Sequence, residues 1–293
     1  MSTPTSLATE RPRLVHTAEE LRAGVQAARV AGRRIGLVPT MGALHEGHLS
    51  LVRAAQAACG LTVVTVFVNP TQFGPQEDFD KYPRTLASDV DALAACRADL
   101  VFAPSREEMY PAGCSTCVEP PAVARRWEGE CRPGHFRGVA TVVLKLFNLA
   151  QADVAFFGQK DYQQAAVIRQ MAQDLNVPVE IRVCPTVREP DGLAMSSRNR
   201  YLSADERRQA LAISRSLRWA DQLAAGGERR AAKLAEAMQG VLAEAQIRQI
   251  DYVAVVDPDT LEPVSELAGP AIALIAAKVG TTRLIDNWRI ERT

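Results

Sequence analysis

Short hydrophobic segments alternate with amphipathic segments along the first two thirds of the chain. The hydrophobic segments predict strands at residues 35–38, 61–68, 100–103, 153–157 and 179–183. Residues 61–68 are β-branched and nearly all apolar, which predicts a buried parallel strand. Between the predicted strands, apolar residues recur at helical spacing and predict helices at residues 18–32, 46–59, 86–98, 139–151 and 162–175. Strands that alternate with helices in this way predict an α/β fold with a doubly wound, Rossmann-like parallel sheet.

The C-terminal third follows a different order. Ser203 and Glu206 have the spacing of a capping box, as do Thr17 and Glu20 near the start of the chain. Two helices broken by a Gly-Gly pair then come before strands predicted at residues 251–256, 271–279 and 282–286. We therefore predict one domain over residues 1–186 and a smaller α+β domain over residues 187–293. The polar segment 186–202 is interpreted as a loop and hinge, so that the smaller domain closes as a lid.

The composition narrows the functional classes. Basic and acidic residues are equal in number, so the formal net charge is zero, and 47% of the 293 residues are apolar. A neutral chain has no overall attraction for nucleic acid or for a membrane surface. No apolar run is long enough to span a bilayer. Residues 1–13 lack the apolar core of a signal peptide, and we expect a frayed tail there.

Six cysteines are spread over a chain that is too large to need disulfides. Cys114 and Cys117 are close enough in sequence to suggest a redox pair or half of a zinc site. No second pair follows at the spacing that a zinc site requires. We therefore interpret the cysteines as free thiols of a cytoplasmic protein.

Residues 39–48, Pro-Thr-Met-Gly-Ala-Leu-His-Glu-Gly-His, join the first predicted strand to its helix, and we call them the histidine turn. Such a junction directs backbone N–H groups and the positive end of the helix dipole at one point, where an anion such as phosphate binds. His45 and His48 are three residues apart, which places both imidazoles on one side of the first helical turn. The alternative is an ordinary βα turn with solvated histidines.

Two related motifs are excluded at the histidine turn. Gly42 and Gly47 have the spacing of the two P-loop glycines, but His48 and Leu49 replace the Lys and Ser/Thr of that motif. A zinc-protease helix needs two histidines at i and i+4, whereas His45 and His48 are at i and i+3.

Other polar clusters also follow predicted strands. Residues 69–74 follow the second strand and residues 158–164 follow the fourth. Ligands of doubly wound sheets bind at the carboxyl ends of the strands, so we expect these loops and the histidine turn to converge on one crevice. In the polar segment 186–202, the two hydroxyls and the guanidinium of Ser196–Arg198 are suited to binding a triphosphate. The alternative is that the segment is a hydrated linker between the domains.

Five motifs in order make residues 14–290 similar to the pantothenate synthetase (pantoate–β-alanine ligase) family. They are the histidine turn, Phe67-Val-Asn-Pro-Thr-Gln-Phe, Arg132-Pro-Gly-His-Phe-Arg-Gly-Val, Phe157-Gly-Gln-Lys-Asp-Tyr-Gln-Gln and Met195-Ser-Ser-Arg-Asn. The first and last also mark the wider superfamily of HxGH nucleotidyltransferases and class I aminoacyl-tRNA synthetases. The middle three narrow the resemblance to this family.

The resemblance implies an ATP-dependent ligase of pantothenate and coenzyme A biosynthesis. In this family, (R)-pantoate attacks the α-phosphorus of ATP to give pantoyl adenylate and pyrophosphate, and the amine of β-alanine then displaces AMP. The residues implied to be catalytic are His45, His48, Lys160 and Arg198.

The resemblance also implies two sets of binding residues. Those for ATP are Pro39, Thr40, Met41, Gly42, His45, Gly47, His48, Gly158, Gln159, Lys160, Asp161, Val187, Met195, Ser196, Ser197 and Arg198. Those for pantoate and β-alanine are Asn69, Gln72 and Gln164. Neutral amides suit the hydroxyls and carboxylate of pantoate because they both donate and accept hydrogen bonds.

A magnesium ion that bridges the ATP phosphates and a homodimer are further implications of the resemblance. Magnesium takes few protein ligands, and none is assigned. Asp89 and Asp91 lie on a predicted helix, where carboxylates are usually solvated. Thr71 departs from the Met expected in many relatives, which leaves the apolar lining of the pantoate pocket in question.

Three other functions remain possible at this level. An HxGH adenylyltransferase for a phosphorylated cofactor precursor accounts for the first and last motifs but leaves Gln72 and Gln164 without a role. A class I synthetase fragment is disfavoured by the zero net charge, because tRNA binding needs basic surfaces. A regulatory nucleotide-binding protein that has lost catalysis need not keep both histidines, Lys160 and Arg198. Because all four residues are present here, this alternative is disfavoured.

Overall fold

The computed structural model of the chain describes residues 11–75 and 77–291. Within these residues the chain divides into two compact units. The first contains residues up to 119, 137–157 and 172–184, and the second contains residues 120–136, 158–171 and 185 onward. The division into domains at residues 1–186 and 187–293 stays a prediction.

The first unit is built on a parallel sheet, as predicted. Its strands are β1 (Arg13–Val15), β2 (Ile35–Thr40), β3 (Leu61–Val66), β4 (Leu100–Phe102), β5 (Val154–Gly158) and β6 (Glu180–Cys184). Their order across the sheet is β1-β4-β3-β2-β5-β6, and the pairs from β1 to β5 are parallel. The order changes direction at β2, which is therefore the switch point of a doubly wound sheet.

The prediction of five strands was wrong by one, because β1 was not anticipated. Only three residues form this strand, and it pairs on one side alone, with β4. Leu14 is 39% exposed, so the strand carries no continuous buried run. Of the predicted frayed tail, residues 1–10 lie outside the described residues, whereas Arg13 begins this edge strand.

Helices connect the strands and continue into the C-terminal part of the chain. They are α1 (Ala18–Val30), α2 (Glu46–Ala58), α3 (Leu86–Ala95), α4 (Arg106–Met109), α5 (Glu128–Cys131), α6 (His135–Ala150), α7 (Tyr162–Asp174), α8 (Ala204–Ala225) and α9 (Ala231–Glu244). The predicted capping boxes of α1 and α8 are both confirmed. Leu51 of α2 and Leu93 of α3 pack with Val38, Val64 and Phe156 of the sheet. None of the helices in the described ranges is both long and apolar enough to cross a membrane.

Helix α6 begins at His135, four residues before the predicted start. Of the two glycines near this start, Gly134, at φ 83°, adopts a left-handed conformation and Gly138 does not. A Cβ at Gly138 would lie 2.3 Å from the carbonyl oxygen of Thr71. Glycine is thus required inside the first turn of α6, because the 69–72 segment lies directly against it.

The second unit is built on a small antiparallel sheet, in agreement with the predicted α+β class. Its strands are β7 (Gln249–Val256), β8 (Ala271–Val279) and β9 (Thr282–Ile290), in that order. Buried residues of α8 and α9, such as Leu217 and Leu234, form one core with Ile275 of β8. Strand β9 runs four residues beyond its predicted end at Asp286, since the polar pair Asp286 and Asn287 is buried within it.

A buried ion pair ties helix α5 to this sheet. The guanidinium of Arg283 on β9 donates to both carboxylate oxygens of Glu128, at 2.8 and 2.5 Å, and to Asp251 at 2.6 Å. The hydroxyl of Tyr252 donates to Glu128 at 2.8 Å. Burial alone raises the pKa of Glu128, but the hydrogen bonds and charge of Arg283 outweigh it and lower that pKa. The pair therefore contributes stability while the carboxylate is ionised.

We expect Glu128→Gln to lower the free energy of unfolding by about 3 kcal/mol at pH 7, because it removes one partner of a buried pair. Since the folded-state pKa of Glu128 lies below its unfolded value of about 4.3, this contribution is present above that pH and is lost as the pH falls below it. Urea denaturation at pH 7 and at a pH well below 4 tests this. Glu130→Gln is the control, because Glu130 is exposed and lies two residues after Glu128 in the same helix. It should change the free energy of unfolding by less than about 0.5 kcal/mol at either pH.

Candidate active site

The histidine turn leaves β2 through a left-handed bend. Gly42 has φ 80° and Ala43 has φ 49°, so two successive residues adopt positive φ values. The hydroxyl of Thr40 donates to the carbonyl of Thr65 on β3 at 2.6 Å and accepts from the N–H of Gly42 at 3.2 Å. These bonds fix the start of the bend to the sheet.

The buried carboxylate of Asp89, on α3, holds the rest of the bend. It accepts from the backbone N–H groups of Ala43 at 3.0 Å and Leu44 at 2.8 Å, and from the hydroxyl of Thr85 at 3.2 Å. Asp89 is only 3% exposed, and a Cβ at Gly42 would lie 2.9 Å from its Oδ2. An ionised carboxylate is well suited here because it accepts several N–H bonds at once.

The interpretation of Asp89 as a solvated carboxylate was therefore wrong, and the sequence held a signal that was overlooked. Asp89 lies three residues after Leu86 and four before Leu93, at the spacing of one helical face. The apolar residues Leu86 and Leu93 mark the buried face of α3, and their spacing places the carboxylate of Asp89 on that face. The structure agrees, since Leu93 is fully buried. Asp91, by contrast, is exposed and pairs with Arg11 at 2.6 Å.

The two histidines lie together at the N-terminus of α2, as predicted. His45 is the N-cap and His48 the third residue of the helix, and their ring centroids are 4.0 Å apart. The backbone N–H of His45 donates to Nδ1 of His48 at 3.3 Å. A neutral His48 ring that accepts at Nδ1 carries its proton on Nε2, which makes Nε2 a hydrogen-bond donor.

Asn69 has an amide that is saturated by hydrogen bonds within the first unit. Its oxygen accepts from the hydroxyls of Tyr110 at 2.8 Å and Thr71 at 2.9 Å. Its Nδ2 donates to Gln72 at 3.1 Å and to the carbonyl of Gly138 at 3.2 Å. Asn69 is 1% exposed. Its side chain is thus a fixed support on which the side chain of Gln72 rests.

Tyr110 was not identified from the sequence, because it lies between the predicted strand 100–103 and the predicted helix 139–151, where no element is predicted. Burial raises its pKa, so its hydroxyl remains a protonated donor to Asn69. The amide nitrogen of Gln72 lies 3.0 Å from the sulfur of Met41. Within the first unit, the structure therefore brings Asn69 and Gln72 together with the histidine turn.

In the second unit, Gln159–Asp161 form a 3-10 turn that we call the lysine turn, with Gly158 at its N-cap. The ammonium of Lys160 lies 3.5 Å from the carboxylate of Asp161. Gln164, in the first turn of α7, is partly exposed, whereas its neighbour Gln163 is buried.

The segment 186–202, predicted as a loop, is instead a hairpin followed by a 3-10 helix. The N–H of Met195 donates to the carbonyl of Val187 at 3.0 Å, and Arg188 pairs with Ala194. Gly192, at φ 95°, makes the turn. These contacts bring two of the predicted ATP-binding residues, Val187 and Met195, to the same end of the hairpin.

Ser196 follows the hairpin as the N-cap of the 3-10 helix Ser197–Tyr201. Its hydroxyl accepts from the N–H of Arg198 at 3.3 Å. Asn199 donates to Glu189 at 2.9 Å and to the carbonyl of Ala194 at 3.0 Å, which joins the helix to the hairpin. Ser196–Arg198 are thus carried by an ordered element.

No group of three or more His, Cys, Asp or Glu residues among residues 11–75 and 77–291 could hold a metal ion. All six cysteines are free thiols, and Cys114 and Cys117 are exposed.

We expect Asp89→Asn to lower the free energy of unfolding by about 2 kcal/mol, because one of the two oxygens that accept the N–H groups of Ala43 and Leu44 becomes an NH2 group, which cannot accept a hydrogen bond. Amide hydrogen exchange at Ala43 and Leu44 should become faster in this variant. Asp91→Asn, an exposed control on the same helix, should leave both exchange rates unchanged. Equal exchange in the two variants would contradict the role of Asp89 in holding the bend.

The chain is similar to proteins of one family over nearly all of its length. The family described as "Pantoate-beta-alanine ligase" matches residues 13–289. The pantothenate synthetase of Acidobacterium capsulatum is 54% identical in an alignment 292 positions long, and the match covers 96% of this chain and 98% of that protein. A pantothenate synthetase of Moorella thermoacetica is 53% identical and covers 95% of this chain and 98% of its own.

Solved structures agree with this assignment. The pantothenate synthetase of Thermus thermophilus superposes with a TM-score of 0.91 at 45% identity and covers 95% of this chain and 99% of its own. A pantoate-β-alanine ligase of Francisella tularensis, in complex with β,γ ATP and β-alanine, has a TM-score of 0.78 at 33% identity over 94% of this chain and 97% of its own. The chain therefore belongs to the pantoate–β-alanine ligase family and is a ligase that joins pantoate to β-alanine.

Proposed function

We propose that the chain performs this ligation through pantoyl adenylate. A carboxylate oxygen of pantoate attacks the α-phosphorus of ATP, and the bond from that phosphorus to the pyrophosphate oxygen breaks. The amine of β-alanine, in its neutral form, then attacks the pantoyl carbonyl carbon and AMP departs. Pantoate is already ionised near neutral pH, so no protein base is needed for the first step. Catalysis then consists of positioning and phosphate stabilisation.

One observation carries the proposal, namely the paired imidazoles at the N-terminus of α2. His48 presents Nε2 as a donor because its Nδ1 accepts from the backbone of His45. We assign both histidines, with Pro39, Thr40, Met41, Gly42 and Gly47 of the same turn, to the ATP phosphates. Donors that are fixed before the reaction stabilise charge that develops in the transition state, and Asp89 supplies that rigidity from behind the turn.

We assign the remaining ATP contacts to the second unit. Lys160 is a flexible ammonium that can follow the phosphates as pyrophosphate forms, and Asp161 suits a ribose hydroxyl. Arg198 offers a planar fork of donors for phosphate oxygens, with Ser196 and Ser197 beside it in sequence. We assign Gly158, Gln159, Val187 and Met195 to the same nucleotide through their backbones and side chains.

For pantoate and β-alanine we propose Gln72 and Gln164 as direct contacts. The hydrogen bonds of the Asn69 side chain support a role in positioning Gln72 and not in contacting the substrate directly. Thr71 takes part in the same network through its hydroxyl, which a Met at this position would lack. The departure at Thr71 therefore exchanges an apolar group for a hydrogen-bond donor to Asn69.

The proposed magnesium ion fits these residues as an ion held by phosphate oxygens and water. The proposed ATP-binding side chains that carry charge or donate hydrogen bonds are imidazoles, hydroxyls, an amide, an ammonium and a guanidinium, and the one carboxylate among them, Asp161, lies 3.5 Å from the ammonium of Lys160. Both oxygens of the carboxylate of Asp89 accept backbone N–H bonds. A hexacoordinate ion that keeps several waters requires no dedicated protein cage. When bound, magnesium would neutralise charge on the phosphates.

We also propose a cytoplasmic location and a homodimer. Six unpaired thiols support the location, because such thiols are typical of a reducing compartment. The homodimer rests on the family resemblance, and light scattering of the purified protein would measure it directly.

Mixing the protein with Mg·ATP and pantoate, without β-alanine, should release a burst of about one pyrophosphate per active site, because pantoyl adenylate stays bound to the enzyme and accumulates there. AMP should appear only after β-alanine is added. Rapid quench with labelled ATP measures both products. Steady AMP formation with pantoate alone, or a burst that does not depend on pantoate, would contradict an enzyme-bound pantoyl adenylate.

His48→Ala should reduce turnover by on the order of 10² or more, the loss typical of one preorganised oxyanion donor. The pyrophosphate burst should slow in proportion, since the first step is affected. His16→Ala is a matched control, because His16 bonds the carbonyl of Ala103 at 2.7 Å and has no proposed role in catalysis. Near-normal turnover of a folded His48→Ala protein would refute the assignment.

A further inference from the structure

We propose that Asp286 and Asn287, neighbouring residues of β9, are positioning residues. They hold the lysine turn and the 187–195 hairpin at a fixed distance and orientation to each other. The inference rests on the proposed function, because it assumes that both segments bind ATP. Neither residue belongs to any of the sequence motifs, and both are buried inside a small sheet. Their side chains nevertheless contact the two segments that carry the proposed ATP-binding residues of the second unit.

Asn287 holds the backbone of the lysine turn. Its Nδ2 donates to the carbonyl oxygens of Gln159 at 2.8 Å and Lys160 at 2.9 Å. The amide orientation is unambiguous, because the opposite one would place its oxygen against two carbonyl oxygens. Asn287 is 2% exposed, so water does not compete for these carbonyls. Both N–H donors of the amide are therefore used to fix the residue whose ammonium would contact the phosphates.

The oxygen of the same amide strengthens the argument. Oδ1 of Asn287 is buried and accepts no hydrogen bond from any residue in the described part of the chain. A buried acceptor without a partner is unfavourable, and an apolar side chain of similar shape would avoid it. A purely structural position in a strand would favour such a side chain, whereas holding two carbonyls requires the amide.

Asp286 holds the hairpin through Arg188. Its carboxylate accepts from both terminal nitrogens of Arg188, at 2.7 and 3.0 Å, in a bidentate pair of which the carboxylate is 3% exposed. Arg188 also donates to the carbonyls of Gly192 at 3.3 Å and Asn287 at 3.4 Å, and its guanidinium lies 5.2 Å from the ring centroid of Trp288. Planar pairs of this kind fix orientation as well as distance.

Arg188 follows Val187 directly and pairs with Ala194, which precedes Met195. Holding Arg188 therefore fixes the end of the hairpin from which Ser196–Arg198 continue. Successive side chains of a strand point in opposite directions, so two adjacent residues of β9 can reach two different segments. The rigid strand then sets the distance between the lysine turn and the hairpin, which neither segment determines by itself.

This arrangement predicts a defect in adenylation that exceeds any loss of stability. A displacement of about 1 Å in a group that orients substrate can reduce rate by about 10²-fold. We expect Asn287→Leu to lower kcat/KM for ATP by about 10-fold to 100-fold in pantoate-dependent exchange of pyrophosphate with ATP. Asn287→Ser keeps one hydrogen-bond donor and should give an intermediate loss of kcat/KM for ATP. If the leucine variant does not fold, the serine variant provides the test.

The decisive measurement is a double-mutant cycle with Lys160→Ala. If Asn287 acts through Lys160, the Asn287 substitution should have little further effect once the ammonium is absent. Independent, multiplicative losses would overturn the inference. Leu284→Ala is the control for stability, because Leu284 is buried on the same strand and packs in the helical core. It should lower the melting temperature without the loss in kcat/KM for ATP.

A second cycle tests Asp286 in the same way. Asp286→Asn and Arg188→Met should each lower kcat/KM for ATP, and the double variant should be no worse than the poorer single variant. Failure of the inference and failure of the proposed function remain distinguishable. If Lys160→Ala leaves the exchange rate unchanged, the proposed role of Lys160 is wrong. If Lys160→Ala slows exchange but Asn287→Leu does not, only the positioning role is overturned.

Discussion

The hydrogen bonds from Ala43 and Leu44 to the buried carboxylate of Asp89 are the constraint on which the position of the histidine turn depends. A left-handed bend at two successive residues is unfavourable unless its surroundings hold it. The carboxylate supplies this support, and the N–H groups in turn offset the unfavourable burial of its charge. Because the bend leads directly into the N-cap of α2, it sets where His45 and His48 stand. The donors of the turn are thus oriented before any ligand binds.

Buried amides provide a second, recurring means of fixing irregular segments. Asn69 holds the carbonyl of Gly138, Gln163 holds two carbonyls that precede α5, and Asn287 holds two carbonyls of the lysine turn. An amide can satisfy carbonyl groups without introducing a charge that would need its own partner. Segments with few apolar residues thereby become rigid through hydrogen bonds instead of packing. In each unit such an amide lies beside residues that we assign to substrate.

Local signals in the sequence were sufficient for much of the architecture. The capping boxes of α1 and α8 were recognised because both partners lie within one turn of helix. The parallel sheet followed from five predicted strands, of which β2 and β3 show a buried run with β-branched residues. Strand β1 escaped because three residues at a sheet edge carry no such run. The end of β9 escaped because Asp286 and Asn287 resemble a strand terminus until their distant partners are known.

The sequence by itself determined the fold class, the histidine pair at a strand–turn–helix junction and the family, because each depends on residues close together in the chain. Only the tertiary structure decided which polar residues are buried and what they hold. Asp89, Tyr110 and Asn287 lie 41 to 128 positions from the atoms that they bond. The sequence does not distinguish a polar side chain that hydrogen-bonds to water from one that hydrogen-bonds to a backbone group far away in the chain. Burial resolves that ambiguity, since a buried polar group must find its partner within the protein.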